Sequence, residues 1–328
     1  MTDRSREETL ATDERVLGRL AGRSVVVTGG AGFIGSRLAA ALARVCDVTV
    51  LDHFSTGDPD AVPDAATVVR GDVRDVDAVH EVTADADIVF HQAAMASVGR
   101  SVRSPVECHA HNASGTMTVL DAARRTDTRV VFASSAAIYG HPESVPIHES
   151  DPKTPTSPYG VAKLAGDQYV RAFADLYGLP TVVLRYFNVY GDRPGGDDVV
   201  SQFADSARGG DPLVVHGDGS QTRDFVHVDD VVRANLRAAV TDATGRAYNV
   251  GTGDPTSIRD LADLVRDAAD GPVEVTSRPG READIDRSHA SVRRACDHLG
   301  FEATVDLADR IGALLGGSNS VEAPGRSN

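Results

Sequence analysis

Ser24-Val25-Val26-Val27-Thr28-Gly29-Gly30-Ala31-Gly32-Phe33-Ile34-Gly35 decides the fold. A β-branched run suited to a strand breaks into glycines and then into the Ala/Leu-rich segment Leu38 to Ala43. That order predicts strand, tight turn, helix. Gly29, Gly32 and Gly35 have G-x-x-G-x-x-G spacing, in which small residues let the backbone approach a pyrophosphate. The pyrophosphate would sit at the helix N-terminus, at Phe33 and Ile34, where unpaired amides and the helix dipole favour an anion.

Downstream, Val48-Thr49-Val50-Leu51 reads as a second strand and ends in Asp52, roughly the ~20 residues past the glycines where an acid bonds the adenosine ribose. Asp52 opposes a 2′-phosphate, and no Arg or Lys follows in His53-Phe54-Ser55-Thr56-Gly57, so NAD is favoured over NADP. Thr67 to Arg70 reads as a third strand running into Gly71-Asp72-Val73, and Asp87 to Phe90 as a fourth running into His91-Gln92-Ala93-Ala94. Open α/β sheets bind ligands at these strand ends. Asp72 and Val73 are therefore candidates for the adenine side, and the small pair Ala93 and Ala94 for the cofactor's backbone. A fifth strand, Arg129 to Ala133, delivers Ser134-Ser135-Ala136-Ala137-Ile138-Tyr139-Gly140, with Ser134 read as a turn former. Alternating strands and helices predict a Rossmann-type doubly wound parallel sheet with right-handed crossovers.

Ser157-Pro158-Tyr159-Gly160-Val161-Ala162-Lys163 places Tyr159 and Lys163 on one helix face just after a start signal. A phenol with a pKa of ~10 is a poor base at neutral pH, and a neighbouring ammonium favours the phenolate. Lys163 is thus expected to lower Tyr159.

These motifs, with Arg185-Tyr186-Phe187-Asn188-Val189-Tyr190-Gly191, Gly217 to Phe225 and Tyr248-Asn249-Val250-Gly251, resemble the extended short-chain dehydrogenase/reductase family. Its nucleotide-sugar epimerase/dehydratase branch is most similar, above all the UDP-glucose 4-epimerase-like members, over about residues 23–312. The resemblance implies that Tyr159 takes the proton from a sugar 4-hydroxyl, that Ser135 bonds the same oxygen, and that Lys163 bonds the nicotinamide ribose. It implies NAD as cofactor, a nucleotide-sugar substrate (most simply a UDP-sugar), and a homodimer formed through helices at about 105–125 and 157–177. Members that dehydrate or decarboxylate carry an acid between the hydroxyl and the tyrosine of this strand-end motif. Ala136 and Ala137 stand there, which favours simple epimerisation at C4.

For substrate binding the resemblance assigns Asn188 to the diphosphate and Arg223 to phosphate. A second arginine has two registers, Arg278 before Pro279-Gly280 or Arg281 at the family's Arg-to-Asp spacing, and Arg281 is preferred. Counting from Arg281 makes Ser288 a small wall residue near C2, which implies room for a 2-acetamido group beside plain hexoses.

The chain has 328 residues, enough for a sizeable core in one two-lobed unit. Residues 1–22 read as an N-terminal extension in which Leu17 and Leu20 lie on a short docking helix. Residues 23–187 with about 225–253 are expected to form the NAD-binding domain, and about 188–224 with 254–315 the substrate-binding lobe. Residues 316–328 read as a disordered tail. No apolar run approaches the ~18 residues of a membrane span and no signal-like segment opens the chain, so a cytoplasmic protein is expected.

A net charge of −15 argues against nucleic-acid and anionic-membrane partners. Only Lys153 and Lys163 supply lysine among 33 basic residues, and the Asp/Arg balance reads as halophilic adaptation. Cys46, Cys108 and Cys296 lack metal-ligand spacing and read as buried thiols. No metal is expected, since His109 and His111 on a helix do not face each other.

Overall fold

The computed structural model describes residues 13–193, 196–280 and 284–316. Its centre is a seven-stranded sheet of order β10-β6-β5-β4-β1-β2-β3, all pairs parallel. The strands are β1 (Ser24–Thr28), β2 (Asp47–Asp52), β3 (Thr67–Arg70), β4 (Ile88–His91), β5 (Arg129–Ser135), β6 (Thr181–Tyr186) and β10 (Arg246–Val250). Every residue of β4 and β6 is buried, as expected of strands covered on both faces. The doubly wound sheet read from the sequence is the one observed.

Helix α1 (residues 13–20), α2 (Phe33–Leu42) and α9 (Val228–Val240) supply one covering layer. Leu20, Leu38, Leu42, Val231 and Leu236 enter its core. The docking helix holding Leu17 and Leu20 is present, with Leu20 fully buried. The opposite face is covered by α3 (Val76–Thr83), α6 (Gly115–Thr126) and α7 (Pro158–Tyr177), through Val79, Val119, Leu120 and Val170. The short helices α4 (Val98–Arg103) and α5 (Pro105–His109) precede α6.

Where the pattern implied one helix over about 105–125, a π-turn, Ala110–Ser114, separates α5 from α6. Its cause is visible in Asn112, whose side chain bonds the backbone of Met95 on both sides, N–H to Oδ1 at 2.7 Å and Nδ2 to the carbonyl at 3.0 Å. The local widening turns Asn112 toward the strand-end loop.

After β6 the chain builds a second assembly. A three-stranded sheet joins β7 (Asn188–Tyr190), β9 (Thr222–His227) and β11 (Pro255–Ser257), and a two-stranded one pairs β8 (Leu213–His216) with β12 (Val275–Arg278). Helices α8 (Val199–Gly209), α10 (Ile258–Ala268) and α12 (Leu307–Leu314) enclose a separate core containing Phe203, Leu213, Leu261, Val265 and Ile311. Between them α9 and β10 return to the large sheet, with Asn249 opposite Arg185, and α11 (Arg293–Leu299) follows. Only Cys108 is a buried thiol; Cys46, just before β2, and Cys296, midway along the short helix α11, are partly exposed.

Asp167 of α7 and Arg185 of β6 form a bidentate ion pair inside the protein, at 2.7 and 3.0 Å, with side chains 0% and 2% exposed. Removing one partner of such a pair strands a buried charge. Arg185→Met is expected to cost roughly 3–5 kcal/mol in denaturant unfolding, and Arg185→Met with Asp167→Leu to recover most of it. A loss below about 1 kcal/mol in the single variant would show that the pair does not hold the sheet and helix together.

Candidate functional site

The main cleft runs along the carboxyl ends of β1, β2, β4 and β5, and all the proposed cofactor residues line it: Gly29, Gly32, Phe33, Ile34, Gly35, Asp52, Asp72, Val73, Ala93, Ala94, Tyr159 and Lys163. Gly29 has φ of 70°, and a Cβ built there would meet the Ala93 amide nitrogen at 2.6 Å, so only glycine permits this approach of β1's turn to β4's. Asp52 is nearly buried and fixes the same turn, accepting from the Ala31 amide at 3.0 Å and the Phe54 amide at 2.8 Å. Its remaining lone pairs suit ribose hydroxyls.

Behind the turn lies a chain of hydrogen bonds that no sequence pattern announced. The Ala93 amide donates to Thr28 Oγ1 at 3.3 Å, and Thr28 Oγ1 lies 2.7 Å from His91 Nδ1. On the other side His91 Nε2 is 3.0 Å from Thr116 Oγ1, which donates to the Asn112 carbonyl at 2.7 Å. The Thr116 hydroxyl is thus used as a donor toward Asn112, so His91 donates from Nε2 and accepts at Nδ1. Burial, with Lys163 adding to it, pushes His91 down to about 3, which keeps the ring neutral as this relay requires. His91 and Thr116 thereby hold the Ala93 segment against the glycine turn.

The triad is assembled by the packing of α7 on β5. Ser157 caps the helix, accepting from the Gly160 amide at 3.1 Å. A Cβ on Gly160 would stand 2.6 Å from the Ala137 carbonyl oxygen, so this glycine brings the helix onto the turn that carries Ser135. Ser135 Oγ accepts from the Ala137 amide at 3.1 Å, and Lys163 donates from Nζ to the Ala133 carbonyl at 2.7 Å. Ser134, by contrast, is buried and bonds Asp167 at 3.2 Å, a structural role.

One expectation is corrected here. Burial raises the Tyr159 phenol above its ordinary value, with the Ser135 hydrogen bond working against the rise. Lys163 does not lower Tyr159 in this geometry, because burial lowers the lysine itself, so its ammonium has lost its proton before the raised phenol ionises. Burial holds Lys163 down to about 8.

At the far end of the cleft, Asp72 is clasped by Arg74, through Nε at 2.9 Å and Nη2 at 2.6 Å, which holds its carboxyl down to about 2. His111 and His53 pack edge to face beside it at 5.3 Å. The ligand atoms of His53, Asp72 and His111 lie within 4.8 Å of one another, a proximity that spacing on one helix could not reveal. Arg74 already occupies both Asp72 oxygens, so the trio reads as one wall of the nucleoside end rather than a metal cage.

These residues fit a dinucleotide. A Cβ on Gly32 would approach only the Gly29 carbonyl, at 3.2 Å, so the mouth of the turn is open in front of the α2 N-terminus.

The candidate substrate residues are set apart from this cleft. Asn188 opens β7, exposed and in register with Phe225, and Arg223 lies two residues before Phe225 on β9. The half-buried Arg223 guanidinium donates to the carbonyls of Thr222 at 2.8 Å and Ile285 at 2.6 Å. Ser288 is buried, its amide donating to the Thr222 carbonyl at 3.1 Å, so it flanks the strand of Arg223. Arg281 lies outside the described residues.

The family model for the NAD dependent epimerase/dehydratase family matches residues 25–251. A putative UDP-glucose 4-epimerase of Methanocaldococcus jannaschii is 38% identical over 294 residues, 88% of this chain and 95% of that protein. Among solved structures, the UDP-glucose 4-epimerase of Thermus thermophilus in complex with NAD superposes with a TM-score of 0.82 at 37% identity, covering 90% of this chain and 98% of the other. The UDP-N-acetylglucosamine 4-epimerase of Methanobrevibacter ruminantium, in complex with UDP-N-acetylmuramic acid, gives 0.86 at 32% identity, with 90% and 98% coverage.

The lowered Lys163 yields a stability test. At pH 7 the ammonium is charged in both folded and unfolded chains, so its burial cost is fully present; as pH rises from about 8 toward ~10.4 the folded chain sheds its proton first and that cost disappears. Lys163→Met is expected to gain roughly 1–2 kcal/mol at pH 7, net of the lost bond to Ala133, with the gap narrowing by pH ~10. A variant less stable than the parent at pH 7, or a gap that stays constant with pH, would contradict this reading.

Proposed function

The chain belongs to the NAD dependent epimerase/dehydratase family, and from that premise we propose that it inverts C4 of a nucleotide-activated hexose. The substrate class is UDP-glucose/UDP-galactose or their N-acetyl forms, matching the activities named for its relatives. NAD-dependent C4 epimerisation of a nucleotide sugar is the activity the family relationship and the NAD-bound neighbour support. The observation that carries the reading is the Ser135-Tyr159-Lys163 cluster beside the dinucleotide cleft, with Ala136 and Ala137 where an eliminating enzyme keeps its acid.

Bound NAD supplies the two-electron acceptor and donor for C4 and a positive charge in the same cleft. Tyr159 removes the proton from the 4-hydroxyl and returns it after the keto sugar has turned its other face. Ser135, whose influence on Tyr159 opposes the rise caused by burial, orients the reacting oxygen. Lys163, fixed to the Ala133 carbonyl, presents its remaining N–H donors to the cofactor's ribose. Asn188 and Arg223 hold the substrate's diphosphate, with Arg281 preferred as second arginine and Ser288 as the small residue near C2. Residues 188–224 and 254–315 act as the substrate-binding lobe, and 23–187 with 225–253 as the NAD-binding domain.

Three broader properties accompany this reading. Among the described residues, no helix is long and apolar enough to cross a membrane, in line with a cytoplasmic enzyme. A second copy of this chain is the partner: Val102 and Val106 before the π-turn, and Val161, Tyr169 and Leu176 along α7, are large apolar side chains left exposed on these helices. The Asp/Arg-weighted charge supports adaptation to high salt, and activity that peaks in dilute buffer would speak against it.

Incubation with UDP-, GDP- and dTDP-sugars, followed by product separation, tests the reaction. Interconversion of UDP-hexose 4-epimers is expected, without water loss, CO2 release or net NADH. Tyr159→Phe is expected to bind NAD normally and lose at least ~100-fold in turnover. A variant keeping half the parent's turnover removes Tyr159 from the chemistry. For the dimer, Val106→Glu with Tyr169→Glu is expected to convert a sedimenting dimer to monomer; a parent that sediments as monomer overturns the assignment.

A further inference from the structure

Phe33, the first residue of α2, has two guanidinium groups over its ring, Arg37 at 5.8 Å and Arg193 at 5.4 Å. Arg37 is engaged elsewhere, donating to the Asp192 carbonyl at 3.3 Å and facing Asp229 at 3.9 Å. Arg193 lines the main cleft beside the glycine turn. The cleft's other cations have acceptors: Arg100 pairs with Glu107 at 2.7 Å, and Lys163 bonds the Ala133 carbonyl at 2.7 Å. Among the described residues, no carboxylate or carbonyl accepts from the Arg193 guanidinium.

We propose that Arg193 is a diphosphate-binding residue, brought to the α2 N-terminus by the connection that leaves β7 for the second lobe. The proposal rests on the reading of the cleft as a dinucleotide site and adds a residue to it. Helix amides at Phe33, Ile34 and Gly35 offer partial positive charge to a pyrophosphate, but in a chain of net charge −15 a full charge is needed nearby. A planar guanidinium binds two phosphate oxygens at once and stacks on an aromatic face, which suits Arg193 over Phe33 better than a lysine.

Its position is anchored. A Cβ built on Gly191 would lie 3.1 Å from the Phe33 ring and 2.7 Å from Val228, so the start of the connection is seated directly on the first turn of α2 and on α9. Cofactor binding through Arg193 therefore ties the entry to the second lobe to the glycine turn. The cofactor and a nucleotide sugar both carry a diphosphate, and separate titrations distinguish them.

The experiment titrates NAD and, separately, UDP into the full-length parent, Arg193→Leu and Arg193→Lys, each first freed of bound nucleotide, by calorimetry at low and high salt. Arg193 is exposed, so both variants are expected to keep the parent's thermal midpoint. Arg193→Leu is expected to weaken NAD at least tenfold and UDP by less than twofold, with a flatter salt dependence for NAD. Arg193→Lys is expected to fall between them. NAD affinity unchanged in Arg193→Leu, or a loss confined to UDP, overturns the assignment to the cofactor. A parent that binds no NAD at all would instead remove the dinucleotide reading beneath it.

Discussion

The buried ion pair between Asp167 and Arg185 is the constraint on which the site depends. Arg185 is the largest fully buried side chain among the described residues, and its guanidinium also donates to the Tyr139 hydroxyl at 2.9 Å and the Glu149 carbonyl at 2.9 Å. Asp167 in turn accepts from Ser134 at 3.2 Å and Arg171 at 3.1 Å. One pair thus binds α7 to β6, to the end of β5 and to the loop that crosses below them. An isolated charge in this position would cost several kcal/mol, so each partner is retained only with the other. Tyr159 and Lys163 lie on the same helix as Asp167, and Ser135 follows Ser134, so the geometry of the triad is inherited from this clamp.

Tyr139 and Asn249 extend the clamp, through a 2.7 Å bond from the tyrosine hydroxyl to the Asn249 side chain. Asn249 lies on β10, after the chain has passed through β7, β8 and β9. The second assembly is tied down further by Asp224, whose buried carboxylate accepts from the amides of Thr252, Gly253 and Ala290 at 2.7, 3.0 and 3.0 Å. The large sheet and the second assembly are therefore joined by satisfied buried polar groups.

What the sequence made legible was local. The glycine turn, Asp52, and the Tyr159-Lys163 pair are fixed by spacing within one turn or one helix, and strand ends place Asp72, Ala93 and Ala94 at the cleft. What it concealed was long-range. His91 meets Thr28 and Thr116, and Asn112 meets Met95, across separations of 63, 25 and 17 residues, with no periodicity to betray them. Asp167 and Arg185 look in sequence like one acid and one base among many. The expectation that Lys163 would lower Tyr159 failed for the same reason, since the burial that lowers the lysine and raises the phenol is set by tertiary packing. Arg193 drew no attention because its significance lies in Phe33, on another element.

The central claim is that C4 is oxidised and reduced by one tightly held cofactor. It is tested most directly by following UDP-glucose deuterated at C4 through epimerisation in the presence of excess unlabelled NADH. The account predicts UDP-galactose that keeps its deuterium at C4, because the same cofactor removes and returns it. Deuterium lost from the product, to solvent or to the NADH pool, would contradict the account.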